Sequence, residues 1–387
     1  MIFSEQPLAT TSRSQNRSDR LKHLAAEAGF DFAGVARLEP SAHGTQLLRW
    51  LDGGRHADMS YLERRTDVRL DPRRVFPGAR SVLCVGLRYA PLAGDAVPEN
   101  DLWPRVARYA RGRDYHHVME SRLKAVVRRV EEELPGTRSR WYVDTGPVLE
   151  RELAQRAGLG AVGKNTCLLR KDGGSYFLLG ELFLSLDLEP DEPLADLCGS
   201  CTLCLEACPT GALPEPFVLD SERCISYWTI ERRGPLPEEA RESIGEWVFG
   251  CDVCQEVCPW NRRRQEPVDH PDLRLPPERG LLDLAGLLGI TRETYVGWFR
   301  GSPMKRPKQE GLQRNAAVAM GNRGDHRYVA PLERALRCDP SPVVRSHAAW
   351  GLGRIGGDEA RRVLEARAGL EEDEVVRQEI ERALGRA

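Results

Sequence analysis

The sequence lacks any continuous apolar run of about 18 residues, the length that a membrane-spanning helix needs. Its most apolar stretch, residues 176–186, is interrupted by Glu181. We therefore expect no membrane span. Residues 1–18 also lack an apolar segment behind a basic end, and they lack a twin-arginine pair. They are expected to be a frayed leader, and the protein is expected to be cytoplasmic.

An excess of charge of either sign is also lacking. The chain has 56 Lys and Arg against 58 Asp and Glu, so any binding to nucleic acid must come from a local patch. Charged residues make up 29% and hydrophobic residues 41%, which is typical of globular proteins and not of disordered or fibrous ones. A chain of 387 residues exceeds one ordinary core, so two or three domains are expected.

The first half of the chain alternates patterns that are typical of helices and strands, which predicts an α/β domain. Asp19 is placed to cap a first helix that Gly29 can end. Apolar residues at helical spacing predict two further helices, at 116–135 and 149–158. Apolar runs predict the strands, at 30–38, 81–90, 140–144, 158–169 and 175–188.

The last third of the chain is predicted to be helical and repetitive. Three short segments align on Arg314, Arg345 and Arg377, at spacings of about 31 and 32 residues. Small apolar residues in each segment allow helix pairs to pack closely, as in HEAT-like repeats, although a plain helical bundle is the alternative. Two segments rich in proline are predicted to be linkers, 187–196 and 265–280.

Eight of the 11 cysteines lie between Cys198 and Cys258. In a reducing compartment this crowding indicates metal binding and not disulfides. The stretch CGSCTLCLEACP, which begins at Cys198, fits the pattern C-x2-C-x2-C-x3-C-P of bacterial ferredoxins. In that pattern the first three thiolates bind one 4Fe-4S cluster and the fourth binds a second cluster. A second stretch, CDVCQEVCP from Cys251, is one cysteine short of the full pattern.

Counting ligands by the pseudo-twofold arrangement of two-cluster ferredoxins divides the eight cysteines into two sets of four. Set I is Cys198, Cys201, Cys204 and Cys258, and set II is Cys208, Cys224, Cys251 and Cys254. Zinc, which CxxC pairs also bind, is the alternative, but the proline after each final cysteine favours cubane clusters. The remaining cysteines are expected to be buried by packing: Cys84, Cys167 and Cys338.

Clusters of this kind pass single electrons, so a domain of roughly 190 residues in front of them indicates a separate reaction centre. The stretch DYHHVM begins like the D-x-H-x-x-G loop that gives a corrinoid its histidine ligand, but Met119 replaces the glycine. His116 and His117 are therefore expected to be surface residues at a helix start. The arginine-rich loop 105–116 is a candidate for binding phosphate or propionamide groups, or is a solvated face.

Asp144 ends a predicted strand and precedes a helix that Pro147 opens. Two interpretations are open for it. It is either a turn or capping carboxylate, or a proton donor at the end of a strand, where α/β proteins gather ligands. Under an apolar cofactor face, desolvation would raise the pKa of Asp144 and keep it protonated near neutral pH.

Seven motifs in this order resemble those of the epoxyqueuosine reductase family, and the resemblance covers nearly the whole chain beyond residue 20. They are VDTGPVLER, GKN, GSYFLLGE, CGSCTLCLEACPTGAL, RCISYWTIE, GCDVCQEVCPWN and LQRNAAVAMG. The most specific feature is RCISYWTIE together with the two cysteine stretches. The resemblance implies an α/β cobalamin-binding catalytic domain (1–187), a ferredoxin-like domain with two 4Fe-4S clusters (188–266) and a helical HEAT-like repeat domain (267–387).

The family's activity would be removal of the epoxide oxygen from epoxyqueuosine at the wobble position of tRNA, which gives queuosine. Electrons from an external low-potential donor would pass through the two clusters to cobalamin, while Asp144 protonates the departing oxygen. The absent glycine in DYHHVM fits this family, in which cobalamin is held with its lower base detached and without a histidine in its place. The enzyme is expected to be a monomer.

The resemblance also implies cofactor and tRNA contacts. The residues matched to cobalamin contacts are Arg69, Ala107, Asp144, Leu168, Leu179, Ser226 and Asp252. For the aliphatic ones, core packing is an equally open interpretation. The candidate tRNA surface, for which a solvated charged segment is the alternative, is Lys305, Arg306, Lys308 and Arg314, continued by Arg345.

Two other functions compete with this one. A corrinoid-dependent reductive dehalogenase also combines cobalamin with two clusters, but it would have no use for the repeat tail and would carry the export signal that is missing here. A non-catalytic electron-transfer protein would need the clusters alone.

Overall fold

The computed structural model describes residues 13–93, 103–263 and 265–386. The strands are β1 (Phe32–Arg37), β2 (Ser81–Arg88), β3 (Arg105–Val106), β4 (Ser139–Tyr142), β5 (Ala161–Val162), β6 (Leu168–Leu169), β7 (Phe177–Leu184) and β8 (Trp247–Phe249). The helices of the first half are α1 (Arg13–Glu27), α2 (Gly44–Asp52), α3 (Thr66–Leu70), α4 (Tyr115–Glu133) and α5 (Glu150–Arg156).

The remaining helices are short around the cysteines and longer in the tail. Those before the tail are α6 (Leu203–Glu206), α7 (Glu238–Ile244), α8 (Val253–Glu256), α9 (Pro259–Arg262) and α10 (Pro277–Gly280). Those of the tail are α11 (Leu284–Leu288), α12 (Arg292–Phe299), α13 (Lys308–Arg323), α14 (Val329–Cys338), α15 (Pro342–Ile355), α16 (Gly357–Ala368) and α17 (Glu374–Leu384). A π-helical turn, Tyr227–Glu231, follows Cys224.

A four-stranded sheet in the order β1-β2-β7-β4 forms the centre of the first half, and all its pairings are antiparallel. Alternate residues of a strand face opposite sides of a sheet. Leu178 and Leu182 of β7 accordingly pack with the cores of α1 and α4, whereas Phe177 and Phe183 pack on the other side with residues of α5. The predicted strand at 158–169 is only the short hairpin β5–β6.

The start of the chain differs from the prediction. Helix α1 begins at Arg13, so Asp19 lies inside the helix and does not cap it. Ser18 is buried, and its hydroxyl donates to the carbonyl of Glu189 at 2.9 Å. The prediction of a frayed leader is therefore wrong for residues 13–18, while residues 1–12 lie outside the described residues.

The two predicted linkers are packed against the first half. In the first, the Asp191 carboxylate accepts hydrogen bonds from Lys22 and from the backbone N–H of Val35, each at 2.8 Å. In the second, Val268 and Leu273 are buried in the core shared with α1 and α4. Proline-rich composition predicts linkers, but these segments are held by buried apolar side chains and by hydrogen bonds.

The segment that carries the eight crowded cysteines, from Cys198 to Cys258, shares a hydrophobic core with both neighbouring parts of the chain. Strand β3 pairs in parallel with β8, and Val106 packs with Phe249 and with the helices of the tail. The tail stacks α13 against α15 and α15 against α17. A side chain at Gly353 would place its Cβ 2.7 Å from the Cβ of Ala383, so glycine is required for the close approach of α15 and α17. Among the described residues, no helix is long and apolar enough to cross a membrane.

Candidate active site and cluster ligands

Asp144 lies on the turn after β4, in the left-handed backbone region with φ of 56°. Its side chain is 55% exposed. Oδ2 of Asp144 is 3.3 Å from Nε2 of His116, and the Tyr115 hydroxyl also hydrogen-bonds the carboxylate. A non-glycine residue with positive φ is uncommon and often marks a constrained site, so the surrounding fold fixes where this carboxylate points.

His116 connects two carboxylates. Asp114 caps α4 by accepting a hydrogen bond from the backbone N–H of His116. Oδ1 of Asp114 is also 2.8 Å from Nδ1 of the His116 ring. Burial alone would lower the pKa of His116, but its hydrogen bonds with Asp114 and Asp144 raise it to about 9. The prediction of His116 as a plain surface residue misses this role. The signal for it is the capping aspartate two residues before it.

The pKa of Asp144 itself departs from the prediction. Burial raises it, but the hydrogen bond and charge of His116, together with Tyr115 and Arg306, outweigh burial and hold the pKa below its ordinary value. The predicted rise applies to a carboxyl group covered by a cofactor. In the protein alone, these shifts favour an ionised Asp144 carboxylate beside a protonated His116 imidazole.

Two further carboxyl groups lie behind Asp144. Glu150, the first residue of α5, accepts a hydrogen bond from the backbone of Asp144, and burial raises its pKa to about 7. Glu181 of β7 is fully buried, and neither of its oxygens has a hydrogen-bond partner among the described residues. Neither glutamate is predicted as a site residue, although Glu181 is the one charged residue in an apolar strand.

Arg306 brings the start of the tail to the same site. Its guanidinium bonds Glu231 at 2.8 Å, lies 5.7 Å from the ring centre of Tyr61 and acts electrostatically on Asp144. The side chains of Lys305 and Lys308 are exposed nearby in sequence. These three cations are the part of the predicted tRNA surface that is available to a ligand.

The prediction is wrong for the other two arginines of that surface. Arg314 is 1% exposed, and its guanidinium donates to backbone carbonyls of the segment after Cys224. Arg345 forms a two-pronged ion pair with Glu371, at 2.9 and 3.1 Å, and also bonds the carbonyl of Asp339. Both hold helices of the tail in place. Their spacing in the repeat could not distinguish an exposed arginine from a buried one.

The residues matched to cofactor contacts include two carboxylates that act on Tyr109. Burial and then the charges of Asp144 and Asp252 raise the pKa of Tyr109. Asp252 is 1% exposed and accepts from the backbone N–H of Arg108 at 2.7 Å. Arg69 contributes a half-buried guanidinium whose Nε has no hydrogen-bond partner among the described residues.

The other matched residues are small or apolar. Ala107 and Leu168 are almost fully buried and Leu179 is partly exposed, while Ser226 hydrogen-bonds the Cys224 thiol. A cavity of about 340 Å³ is lined among others by Arg108 and Tyr176, but by none of the matched residues. The unpartnered Nε of Arg69, the buried carboxylate of Asp252 and the aliphatic side chains together suit a large amphipathic cofactor with amide arms.

The thiols divide as the two sets predict. Burial raises the pKa of Cys204 to about 11, and its thiol neighbours are the other members of set I. Burial likewise raises the pKa of Cys251 to about 12, and its thiol neighbours are Cys224 and Cys208 of set II. In the described part of the chain, no three His, Cys, Asp or Glu side chains surround a point that a single metal ion could occupy. The identity of the bound metal therefore rests on the family comparison below.

The GKN motif contacts both sets. The backbone N–H of Lys164 donates to Sγ of Cys198 at 3.4 Å, and its ammonium bonds the carbonyl of Cys201 at 2.9 Å. The Asn165 side chain donates to the carbonyl of Cys254 at 3.3 Å. A single loop thus joins the cysteine-bearing loops of both sets to the α/β part of the chain.

The remaining cysteines behave in three different ways. Cys84 is fully buried, as predicted. Cys167 hydrogen-bonds the Cys254 thiol, so it is a neighbour of set II and more than a packing residue. Cys338 is exposed at the end of α14, so the prediction of burial is wrong for it.

Comparison with known proteins identifies three regions. A model of the epoxyqueuosine reductase QueG family matches residues 69–145, a 4Fe-4S double cluster binding domain matches 197–261, and HEAT repeats match 306–385. The epoxyqueuosine reductase of Xanthomonas campestris is 40% identical over 346 residues, which is 87% of this chain and 96% of that protein. The chain belongs to the epoxyqueuosine reductase family. The enzyme of Pseudomonas aeruginosa is also 40% identical and shares 87% of this chain and 94% of its own length.

Solved structures of epoxyqueuosine reductases have the same fold. One was determined with an epoxyqueuosine-modified tRNA stem loop and matches with a TM-score of 0.88 at 32% identity, covering 96% of this chain and 98% of its own. Another, from Bacillus subtilis, has its catalytic aspartate loop swung out of the active site; it matches with a TM-score of 0.88 at 31% identity over the same shares.

These matches confirm the predicted fold class and the repeat tail. Membership of the epoxyqueuosine reductase family also makes the chain an oxidoreductase with a double 4Fe-4S cluster domain. The dehalogenase and the non-catalytic carrier are therefore set aside, and so is the zinc alternative.

Proposed function

We propose that this protein reduces epoxyqueuosine to queuosine in tRNA, with Asp144 as the proton donor and cobalamin as the cofactor fed by two 4Fe-4S clusters. The observation that carries the proposal is the position of Asp144. It lies on a constrained turn, bonded to His116 and facing Arg306 of the tail, where the catalytic and repeat regions meet. A relative solved with modified tRNA and another with a catalytic aspartate loop support the same assignment.

The residues that would hold cobalamin are those matched to the family's cofactor contacts. Arg69 and the N–H groups near Asp252 suit its polar arms, and Leu168 and Leu179 suit its apolar face. When bound, cobalamin would supply the electron-rich centre that reduces the epoxide. Anaerobic protein mixed with cobalamin should change the absorption spectrum of the cofactor, and an unchanged spectrum would count against this assignment.

Set I and set II are proposed as the ligands of the two clusters. The separation of the thiols into two neighbouring groups supports this, as does the match of 197–261 to a double-cluster domain. Set II contains Cys224, which precedes Ser226 and the π-helical turn and so lies nearer the cofactor residues. Electrons would therefore leave through set II.

Asp144 must be protonated to act as an acid, and His116 is the group that can protonate it. In the open site the proton is held by the imidazole. When ligands cover the carboxylate, the loss of water raises the pKa of Asp144 and favours transfer of the proton from Nε2 of His116 to Oδ2 of Asp144. Asp144 is thus protonated only when a substrate is present to receive the proton.

The overall activity is tested with tRNA that carries epoxyqueuosine. After incubation with the protein, cobalamin and a low-potential reductant, a nuclease digest should contain queuosine. A digest that contains epoxyqueuosine alone would contradict the proposal.

The His116–Asp144 pair predicts a titration that NMR can measure. His116 should titrate near pH 9, and Asp144→Asn should move its pKa down toward the ordinary value of about 6.5. Because the folded-state pKa of His116 is raised, the pair stabilises the fold fully below about pH 6.5, and this contribution is lost as the pH rises through about 9. A His116 titration that Asp144→Asn leaves unchanged would show that the two groups are not coupled.

The exposed cations at the start of the tail predict salt-dependent tRNA binding. The double variant Lys305→Ala/Lys308→Ala should weaken binding and reduce the slope of log affinity against log salt by roughly 0.7–0.9 for each phosphate that the variant no longer neutralises. Arg337→Ala, which removes an exposed arginine paired with Glu333 on α14, is the matched control and should leave the slope unchanged. If log affinity falls with log salt equally steeply in the double variant and the wild type, Lys305 and Lys308 do not contact tRNA phosphates.

A further inference from the structure

Tyr61 presents an aromatic ring to solvent in the loop between α2 and α3. It lies on a single 3-10 turn, Ser60–Leu62, and is 40% exposed. Single apolar side chains on a protein surface are common and need no explanation. Tyr61 differs from them because the fold fixes its loop, places a cation against its ring and connects that cation to the segment beside Asp144.

The loop that carries Tyr61 is anchored on both sides of the turn. Ala57 and Arg65 lie in the left-handed backbone region, with φ of 53° and 55°. Non-glycine residues are uncommon in this region and persist there where the surrounding structure imposes it. The Asp58 carboxylate accepts a hydrogen bond from the Tyr227 hydroxyl at 2.6 Å. The loop is thereby tied to the π-helical turn, and the ring has a defined position.

A guanidinium lies over the ring of Tyr61. Cζ of Arg306 is 5.7 Å from the ring centre, which is within the range of a cation–π contact. Arg306 is itself held by Glu231, with hydrogen bonds of 2.8 and 3.0 Å to the two carboxylate oxygens. The Tyr61 hydroxyl is 3.3 Å from Sδ of Met59 in the same loop. The ring is therefore supported before any ligand arrives, while part of its surface stays open.

Hydrogen bonds lead from Asp144 to the segment that carries Arg306. Nε2 of His116 is 3.3 Å from Asp144, and Nδ1 of the same ring is 2.8 Å from Asp114. The backbone N–H of Asp114 in turn donates to the carbonyl of Gly301 at 2.6 Å, five residues before Arg306. In agreement with this chain of contacts, the charge of Asp144 acts on both the guanidinium and the phenol ring beneath it.

The chemistry of the substrate requires a grip on its base. In epoxyqueuosine the epoxide lies on a small ring that a flexible aminomethyl arm joins to a deazapurine base. An enzyme that acts on a nucleotide within a loop draws its base out of the stack, and such a base is recognised by stacking on aromatic rings and guanidinium planes. Because the arm is flexible, the epoxide is positioned for proton transfer only if the base is held.

We propose that Tyr61, supported by Arg306, stacks on the base of the epoxyqueuosine nucleotide and so positions the epoxide for Asp144. The inference rests on the proposed function and names the substrate contact of that same site. Tyr61 is a positioning residue in this proposal. It exchanges no proton or electron, and its hydroxyl is not needed.

A binding cycle between protein and RNA tests the stacking directly. The cluster-loaded enzyme is titrated, without reductant so that no turnover occurs, with a tRNA stem loop that carries epoxyqueuosine and with one that has an abasic site at the wobble position. Tyr61→Ala should weaken binding of the first stem loop by about 5- to 150-fold, the range measured for stacking of one base on an aromatic side chain. It should weaken binding of the abasic stem loop hardly at all. Equal losses on the two stem loops would overturn the proposal.

Two further variants separate stacking from other roles of the loop. Tyr61→Phe keeps the ring and should bind both stem loops as tightly as the wild type does. Phe217→Ala removes another exposed aromatic side chain, one whose backbone N–H bonds the carbonyl of Lys164 beside the cysteine loops, and should also leave both affinities unchanged. A loss of affinity in Tyr61→Phe as large as that in Tyr61→Ala would show that the hydroxyl binds the RNA and that the ring does not stack.

Cobalamin is the other ligand that the ring could contact, because Tyr61 acts electrostatically on Arg69, one of the residues matched to cofactor contacts. Absorption titration of Tyr61→Ala with cobalamin should give the wild-type affinity. A weaker affinity for cobalamin, with the binding of both stem loops unchanged, would assign the ring to the cofactor and reject the proposal.

The outcomes also distinguish this proposal from the function on which it rests. If the wild-type enzyme forms queuosine but Tyr61→Ala shows no dependence on the wobble base, the stacking role is rejected and the reductase assignment stands. If the dependence is found but no queuosine forms, the reductase assignment fails and Tyr61 remains a binding site for the modified base. In turnover, Tyr61→Ala should raise KM more than it lowers kcat, because stacking holds the substrate before and during the reaction.

Discussion

Asp144→Asn should lower the rate of queuosine formation by about 10²- to 10⁴-fold, the range that a general acid contributes. Asparagine is nearly isosteric and tolerates the left-handed backbone at this position, where φ is 56°. Its amide oxygen can still accept from His116. The substitution therefore removes the transferable proton and little else.

The measurement is single-turnover formation of queuosine, together with the visible spectra of the clusters and of bound cobalamin. The spectra should match those of the wild type. Asp172→Asn, which alters a surface aspartate paired with Arg170, is the control and should retain full activity. Undiminished turnover in Asp144→Asn would show that Asp144 is a turn or capping residue and not the proton donor.

Arg314→Met should lower the free energy of unfolding by about 3 kcal/mol, the cost of removing one partner from a buried charged network. The guanidinium donates to the carbonyls of Trp228, Arg232 and Gly234, at 2.8, 3.1 and 2.7 Å, and to Oδ1 of Asn315. Methionine fills most of the volume but leaves these acceptors buried without a donor. Because the carbonyls follow Cys224, cluster content should fall along with stability.

Urea unfolding followed by helix circular dichroism, with iron counted per chain, tests this prediction. Arg345→Met is a useful comparison. It breaks an ion pair with Glu371 in the tail, and the hydrogen bonds of Arg345 do not reach the cysteines of set I or set II. It should destabilise the tail and leave the iron content unchanged. If Arg314→Met were stable and instead bound tRNA with a smaller salt slope, the arginine would belong to the tRNA surface after all.

The sequence predicts best what depends on fixed spacing. The division of eight cysteines into two sets is predicted from short loops that curl around one cluster, and the thiol neighbours of Cys204 and Cys251 in the structure belong to the set of each. The position of Asp144 on a turn after a strand is a local pattern and is predicted, but helix α5 begins at Glu150 and not at Pro147. The antiparallel order of the sheet is not predicted, because it depends on contacts between residues far apart in the chain.

The wrong predictions arise because a short sequence pattern does not show which side chains are buried in the fold. Arg314 and Lys305 look alike in a basic stretch, yet one is 1% exposed and the other lies on the surface. Helix α1 starts before the residue predicted to cap it, and Ser18 of that helix bonds the backbone of Glu189, 171 positions away. Such partners are set by the assembled fold and leave no trace in a short window of sequence.

The parallel pairing of β3 with β8 has a consequence for how this enzyme could be rebuilt. The cluster-bearing segment is completed by a strand that precedes it in the chain and by Arg314, which follows it. This segment therefore cannot be exchanged as a unit. A ferredoxin grafted in its place would lack both the pairing with β3 and the hydrogen bonds from Arg314.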